Sequence, residues 1–465
     1  MLGAAALCLA GGAGTAALAQ TDQPSLAPVS PDPLRADTAS DPILQLAAGR
    51  ASFDRFREVI AAAVERHPAR AEQAAMTDEA RAVLAEARER QRPSGELSLT
   101  SYRVISREFS DDPNNVIERS RPEQRTDAIF SLQQTVWDFG ANDRRVAAAG
   151  ARLRAAAADA EAMTDRIALA AIASWYDMFA YRALVVLTEA FVVSQRDLRS
   201  AVEERVEAGV SAPGDVARVE SYIAGTETRL ARFRRQLAAA ETRFGELSGA
   251  PAPATVDRAP APPVPVVSRD AAALAAAGTP VVRAAERVAD ATRQEARAAR
   301  ADGLPQIAVG VDAGRYGVFE TERDYDVRGR VALRQRLFGG VGPRADQAAA
   351  RARAADARAD RIREEAGRDA AIAFSDVQAL EAQLAALEAS YIAARRSRDV
   401  IVERFRAARG SLFDVVAAED VYFQTATAFV EAIAELDAAR YVLLSRTGRL
   451  LDTLGIDPVR AEDMR

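Results

Sequence analysis

Apolar residues recur every 3.5 residues on average along two long segments of the chain. In the first segment the steps alternate between three and four residues, through Val216, Val219, Ile223, Thr226, Leu230, Phe233, Leu237, Ala240 and Phe244. The same spacing returns 199 residues later, from Val415 to Leu443, and it also runs from Ala370 to Tyr391 in the stretch just before. This period is typical of left-handed coiled coils. It predicts long helices that pair through one apolar seam.

Proline marks where these helices begin and end. The chain has no proline in 123–212 or in 344–457, whereas prolines cluster in 251–265. Because proline breaks helix interiors, windows of this length predict very long helices. A helix of about 60 residues would measure about 90 Å at 1.5 Å per residue. The cluster in 251–265 predicts a stiff, extended connector between two halves.

The two halves repeat one unit. His67-Pro68 matches Thr279-Pro280 at an offset of 212 residues, and Gln134–Trp137 matches Gln335–Phe338 at an offset of 201. Asp215 and Asp414 then match at an offset of 199. The offset between matching residues falls from 212 to 201 and then to 199. This fall indicates that the β-hairpin is 11 residues longer in the first copy, while the helical parts are nearly equal in length.

We expect the chain to be divided as follows. Residues 1–19 form a signal peptide, 20–50 a flexible N-terminal segment, 51–249 the first repeat, 250–268 a Pro-rich linker, 269–456 the second repeat and 457–465 a C-terminal tail. Each repeat holds a helix, a β-hairpin (96–137 or 305–338) and a long helical hairpin (141–249 or 344–456). The tips of the helical hairpins lie at 207–214 and 406–413.

Short alternating segments precede each helical hairpin. In 327–337, apolar Val327, Val331 and Leu333 alternate with four arginines, which are Arg328, Arg330, Arg334 and Arg336. A period of two predicts a strand with one apolar face. Alternating segments of about 10 residues are typical of transmembrane β-barrels, although a two-sided hairpin on a soluble domain has the same pattern. In a barrel the four arginines are candidates for the lumen; alternatively, arginine is simply the common polar residue of a chain without lysine.

Composition excludes several functional classes. The chain has 61 arginines and 67 acidic residues, a net charge of -6 and a pI near 5.4, which argue against nucleic-acid binding. With one Cys and one His we expect no zinc site, cofactor, disulfide or Ser-His-Asp triad. Carboxylates are abundant, but none lies in a strained or Gly-rich loop with catalytic partners, so we do not expect an enzyme.

The first 19 residues indicate export. They carry no charge and end in Ala17-Leu18-Ala19, an A-x-A cleavage pattern. Removal of this segment would also remove Cys8; a buried N-terminal helix is the alternative. No later stretch of 18 apolar residues could form a transmembrane helix.

The strands and helical hairpins of one chain cannot pair all their backbone groups or cover all their apolar surface within that chain. Four strands cannot close a barrel in lipid, because an open edge leaves backbone groups unpaired. The coiled-coil pairs combine an apolar seam with an Ala-rich flank and need neighbours on more than one side. A symmetric ring of such hairpins would form a hollow helical tube.

The motifs, in this order and present twice, resemble the TolC-like outer-membrane efflux and secretion channel family over roughly residues 50–456. The similarity rests on His67-Pro68, on the strand start Leu304–Ile307, and on the turns Gly209–Val216 and Ala408–Val415. It implies a mainly α fold with a small β part. Three identical chains would supply a 12-stranded barrel in outer-membrane lipid and a 12-helix periplasmic tunnel.

The resemblance also implies partners and a cargo. In a Gram-negative cell, a periplasmic adaptor and an inner-membrane transporter of the ABC or RND type would supply the channel with substrate and energy. The segments Gly410–Asp420 and Leu450–Ile456 look most like the branch that serves type I protein secretion. A drug or metal efflux duct is the alternative, and a periplasmic coiled-coil scaffold without a membrane barrel is a further one.

The resemblance places the periplasmic entrance at the helix tips, where we single out Gly209, Asp215, Arg404, Arg409, Gly410 and Asp414. Asp414 would form a ring of three carboxylates that narrows the entrance and favours cations. Alternatively, Asp215 and Asp414 are helix N-caps, worth about 1 kcal/mol each. Arg409 or Arg404 would close the entrance by pairing with a neighbouring carboxylate. The family's second acidic ring falls on Ala417 here, and its tip glycine on Ala408.

Overall fold

The computed structural model describes residues 26–457 except for 31, 33–37, 50, 109–115, 117–119, 254, 260, 322, 323 and 408. The expected signal peptide 1–19 lies outside the described residues, as does the tail from 458 onward.

The described residues form long helices and one small sheet. The helices are α1 (Pro42–Leu46), α2 (Phe53–Arg66), α3 (Pro68–Glu89), α4 (Ala141–Glu207), α5 (Pro213–Ser248), α6 (Arg269–Ala276), α7 (Pro280–Ala301), α8 (Val341–Arg406), α9 (Leu412–Arg446) and α10 (Leu450–Leu454). The strands are β1 (Ser94–Arg103), β2 (Gln124–Trp137), β3 (Gln306–Arg315) and β4 (Tyr325–Arg334). This is the mainly α fold with four strands that the sequence predicts, and the predicted fold class is confirmed.

Helices α4 and α8 are the longest elements, with 67 and 66 residues. At 1.5 Å per residue each spans about 100 Å. Both follow a glycine in the left-handed region, Gly140 (φ 79°) and Gly340 (φ 84°), which turns the chain sharply from strand into helix. At the start of α4, the Asp138 carboxylate accepts the amides of Gly140 and Asn142, both at 2.9 Å. No helix in the described part of the chain is long and apolar enough to cross a membrane.

The sheet joins the two repeats. Its order is β1-β2-β3-β4 and all neighbours are antiparallel, so the central pair β2 and β3 comes from different repeats. One row of partners runs Leu97, Phe130, Ala313 and Val327 across the four strands. Within the chain, β1 and β4 are the edges of the sheet.

The core lies where the helical hairpins meet the short helices and the linker. Phe56 of α2 contacts Trp175 edge-on, with ring centroids 5.4 Å apart, and also contacts Tyr176 and Tyr441. The indole of Trp175 donates to the carbonyl of Asp257 at 3.2 Å, and the Tyr176 hydroxyl donates to a neighbouring linker carbonyl. The Pro-rich linker is therefore packed against the aromatic core.

The N-terminal segment 20–50 is where the structure differs from the flexible segment that we expect from the sequence. In its described parts, 26–30 and 38–49, Ala27, Asp41 and Ile43 are buried against the helices. These residues are packed in the structure, and the flexibility of the segment stays a prediction. Composition suggested a loose segment, but specific contacts with residues more than 300 positions away hold it in place.

Candidate functional site: the sheet faces and the helix tips

One face of the sheet is apolar and uncovered. Leu97, Val331 and Leu333 are 75%, 77% and 71% exposed, although the strand pattern assigns them to the face that should avoid water. The register places Phe130 and Val311 on the same face. A continuous exposed apolar surface of this kind marks contact with a membrane or with another protein.

Exposed aromatic side chains border this face at both ends. Trp137, Phe139 and Phe338 lie at the end nearest the long helices, and Tyr325 lies at the far end. Transmembrane barrels carry such aromatic girdles on either side of an apolar band about 25 Å tall. A strand of 10 residues spans about 33 Å along its own axis, and a tilt of about 40° reduces this to about 25 Å of membrane thickness.

The opposite face of the sheet is polar and carries both signs of charge. Arg328 is ion-paired with Asp326, and Arg330 Nη2 lies 4.0 Å from Asp312 Oδ2. Arg334 is also on this face, as its pairing with Gln306 shows. Arg328, Arg330 and Arg334 thus share one face, as the alternation predicts, together with acidic residues that offset their charge.

Arg336 does not belong to that strand. Strand β4 ends at Arg334, because its partner strand β3 begins at Gln306, opposite Arg334; the chain then turns at Gly339 and Gly340, both with positive φ, to begin α8. The prediction of a fourth strand arginine is therefore wrong. Arg336 instead lines a cavity of about 450 Å³ between sheet and helices, together with Arg145, Asp302, Arg334 and Arg344. Arg145 there binds both carboxylate oxygens of Asp302 at 2.6 Å.

The tip of the first helical hairpin is a glycine turn. Helix α4 ends at Glu207, and Gly209 has a φ of 71°, which lets the Val210 amide return to the Arg205 carbonyl at 2.8 Å. Asp215 is the third residue of α5 and not its N-cap, since the helix already begins at Pro213. Its carboxylate accepts the backbone amide of Ala212 at 3.2 Å. Asp215 therefore caps from inside the helix.

The second tip uses a different N-cap. Ser411 caps α9: its hydroxyl accepts the Asp414 amide at 3.2 Å and donates to the Asp414 carboxylate at 2.7 Å. Asp414, like Asp215, is therefore a first-turn residue, and the expected N-cap assignment is wrong for both. The reason is that each helix begins earlier than the aspartate, at Pro213 and at Leu412.

The remaining predicted tip residues lie next to this cap. Arg404 and Arg409 are exposed, and the Arg409 amide donates to the Arg404 carbonyl at 2.8 Å. Gly410 packs beside the end of α8: a Cβ there would lie 3.4 Å from the backbone nitrogen of Phe405, which is an ordinary van der Waals contact. The structure thus brings Arg404, Arg409, Gly410 and Asp414 together at one end of the molecule.

Sequence reasoning missed Arg205, which connects the two tips. Its Nη1 donates to the carbonyl of Phe405 at 3.0 Å, and its guanidinium stacks 4.5 Å from the Phe405 ring centroid. Its Nε lies 3.4 Å from the Ser211 hydroxyl. From sequence alone, a basic residue in a last helical turn indicates only an interaction with its own helix end.

An acidic groove lies further along the helices, on α4, α8 and α9. Its cavity of about 660 Å³ is lined by Asp177, Asp376, Glu431, Glu435 and small apolar residues. Burial raises the pKa of the Asp177 and Glu431 carboxyls, while Arg243 and Arg232 respectively oppose the rise. Glu435 lies about 160° around α9 from Asp437, the residue that faces the linker. Glu435 therefore lies on the other side of α9 from the contact with the linker.

The described residues thus combine a sheet with an exposed apolar face, strands β1 and β4 at its edges, and helical hairpins about 100 Å long. The chain is 22% identical over 333 residues to the outer membrane efflux protein BepC of Brucella suis biovar 1 (strain 1330), which covers 70% of this chain and 73% of that protein.

Solved structures share the fold. VceC of Vibrio cholerae, an outer membrane protein, superposes with a TM-score of 0.74 at 18% identity, over 85% of this chain and 96% of that one. The open state of the MtrE outer membrane channel of Neisseria gonorrhoeae gives 0.71 at 17% identity, over 85% and 89%. No family model matches the chain. The chain is thus similar in sequence to BepC and shares the fold of solved outer-membrane channels, as the resemblance in sequence predicts.

Proposed function

We propose that three copies of this chain form a continuous duct through the periplasm and outer membrane of a Gram-negative bacterium. The observation that carries this proposal is the sheet, which has an exposed apolar face and two unpaired edges, β1 and β4. Pairing the β1 edge of one copy with the β4 edge of the next would close a barrel and leave no open edge in lipid.

The arrangement of the elements orients the duct. The sheet and the tips lie at opposite ends of helices about 100 Å long, so the tips reach far into the periplasm when the sheet is in the membrane. A periplasmic adaptor and an inner-membrane transporter of the ABC or RND type would engage the tip end. The chain itself supplies no energy and carries out no reaction.

The polar surfaces would line the path of the cargo. The polar sheet face would form the barrel lumen, and the acidic groove of α4, α8 and α9 would favour cations in the tunnel. Asp414 would add a ring of three carboxylates at the entrance, with Arg409 or Arg404 as its closing partner from a neighbouring copy.

Two substitutions at adjacent residues test the membrane placement. Val331 is on the apolar face of β4 and Ala332 on the polar face. Arginine on the lipid side of a barrel costs about 2–4 kcal/mol near the bilayer midplane. We therefore expect Val331→Arg to abolish heat-stable trimers in outer-membrane fractions, and Ala332→Arg to leave them in place. Equal trimer yields from both variants would show that the sheet does not sit in lipid.

The cargo of the duct is proposed from a relative and from two segments of the sequence. BepC is named an efflux protein, which favours efflux of small molecules through this chain as well. The segments Gly410–Asp420 and Leu450–Ile456 favour protein export by type I secretion as the second candidate. A deletion strain separates the two: sensitivity to dyes and drugs with an unchanged set of secreted proteins supports efflux, and the reverse result supports secretion.

A further inference from the structure

The described N-terminal residues 26–30 and 38–49, called the strap below, follow the second helical hairpin from the region of its tip to the linker. Their polar anchors lie on α8 and on linker residue Arg258, which is itself paired with Asp437 of α9. Three anchor points hold the strap, one near the tip, one in the middle and one at the linker.

The anchor near the tip combines a buried arginine with apolar contact. Arg398 Nη2 donates to the carbonyl of Ala27 at 3.0 Å, stacks 4.2 Å from the Tyr422 ring centroid and pairs with Asp399 at 2.6 Å. Val29 packs against the apolar cluster at the base of both tips. Because α8 ends at Arg406, this anchor lies about 12 Å from the tip.

The middle anchor is the buried carboxylate of Asp41. Its Oδ2 accepts Arg395 Nη1 at 2.6 Å and the Tyr391 hydroxyl at 2.9 Å, and its Oδ1 accepts the Ile43 amide at 2.8 Å. The side chains of Arg395 and Asp41 are 8% and 0% exposed. Moving the two charges of such a buried pair apart costs free energy, because both charges then stay buried without a partner.

The third anchor ties the strap to the linker between the repeats. Arg258 donates to the carbonyl of Ala47 and, at 2.6 Å and 3.0 Å, to both carboxylate oxygens of Asp437 on α9. The Arg258 carbonyl in turn accepts the Ala51 amide at 3.1 Å. The strap thus connects the linker to both helices of the second hairpin.

We propose that the strap is a latch that holds the second hairpin in the conformation seen here, and that movement of its tip requires the strap contacts to break. The inference rests on the proposed channel function. Opening an entrance at the tips requires α8 to move relative to its surroundings, and the strap fastens α8 at Tyr391, Arg395 and Arg398. In this proposal the strap contacts break together, which gives the second hairpin two discrete states.

The test compares single-channel recordings of the full-length protein and its variants in planar lipid bilayers. Asp41→Asn removes the charge of the middle anchor, and Val29→Asp places a charge where the strap meets the apolar cluster without altering either helix. Two matched controls change charge elsewhere: Glu241→Gln affects an ion pair of the first hairpin, and Pro28→Asp adds a charge at an exposed neighbour of Val29.

We expect each latch variant to raise the time-averaged conductance by about tenfold relative to the wild type, as a population shift would, and each control to leave it unchanged. Asp41→Glu, which retains the charge, should restore part of the closed population. Wild-type conductance in an assembled Val29→Asp trimer contradicts the latch, even if Asp41→Asn fails to assemble. A wild-type protein that never inserts or conducts would instead contradict the proposed function.

Discussion

The two helical hairpins have nearly equal lengths but bury different side chains. In the described part of the chain, the charged residues less than a tenth exposed are Asp41, Arg395, Arg398, Asp399, Glu419 and Asp437. All of these except Asp41 belong to α8 or α9, and Asp41 packs on them. The polar residues that α4 and α5 bury are neutral, namely Thr164, Ser174, Thr188, Gln195, Thr226 and Ser248.

This difference indicates that duplication produced two similar scaffolds with different mechanical properties. A seam of apolar and neutral residues can shift in small steps, because no single contact dominates its energy. Helices that are held to the N-terminal segment and the linker by buried ion pairs resist small shifts, since each displaced charge loses its partner in a poorly solvating environment. The second hairpin is therefore the one suited to switching between discrete positions.

The largest expected effect comes from breaking a buried pair of the second hairpin. Asp437→Ala leaves Arg258 without its carboxylate and should cost about 3–5 kcal/mol of stability. Glu241→Ala removes the partner of Arg182 in the first hairpin, where the side chains are 22% and 36% exposed, and should cost about 0–1 kcal/mol. Thermal unfolding of both variants in detergent measures the contrast. Equal losses of stability in the two variants would contradict the proposed difference between the two hairpins.

A smaller effect is expected where the hairpins touch at their tips. Arg205→Ala removes a charged hydrogen bond to the Phe405 carbonyl and a stacking contact, together worth about 1–3 kcal/mol. Faster hydrogen exchange of the amides of Val210 and Arg409 would report the loosened tips. Arg404→Ala removes an exposed arginine nearby and is the control. Unchanged exchange in Arg205→Ala would mean that the tips are independent.

The buried carboxyl of Glu419 makes the second hairpin sensitive to pH. Burial raises the pKa of Glu419, and the Arg398 guanidinium only partly opposes the rise. Because the folded-state pKa lies above that of the unfolded chain, protonation stabilises the fold at low pH, and this contribution is lost as pH rises through the folded value.

Glu419→Gln mimics the protonated form, so it should raise the thermal midpoint by a few degrees at neutral pH. Below the ordinary glutamate pKa of 4.5, it should change the midpoint little. Midpoints measured at both pH values check the sign. A variant that is less stable than the wild type at neutral pH would show that the charged carboxylate is the stabilising form.

The smallest stability effects are expected at the two capping aspartates. Asp215→Ala and Asp414→Ala each remove a first-turn carboxylate, at a cost of about 0.5–1 kcal/mol. The two variants should differ from each other more in channel conductance than in stability. If Asp414 forms the entrance ring, Asp414→Ala lowers cation preference and Asp215→Ala does not. Unchanged conductance and selectivity in Asp414→Ala and Arg409→Ala would leave Asp414 with a capping role alone.

Much of the candidate site was predictable because it depends on local pattern. The alternation in 327–337 predicted which arginines share a face, and it failed only at Arg336, because the partner strand β3 begins at Gln306, opposite Arg334. The matched aspartates correctly identified the two tips. Their role was misassigned because the exact first residue of a helix depends on its neighbours, here Pro213 and Ser411.

The amino-acid sequence alone determined the long helices, the strands and the duplication, since periodicity and proline placement act over a few neighbouring residues. Only the tertiary structure decided which distant groups meet. Arg205 reaches Phe405 across 200 residues, and Asp41 reaches Tyr391 across 350. No local pattern encodes such contacts, because they arise when packed helices exclude water from charged groups, and those groups must then find partners wherever the fold provides them.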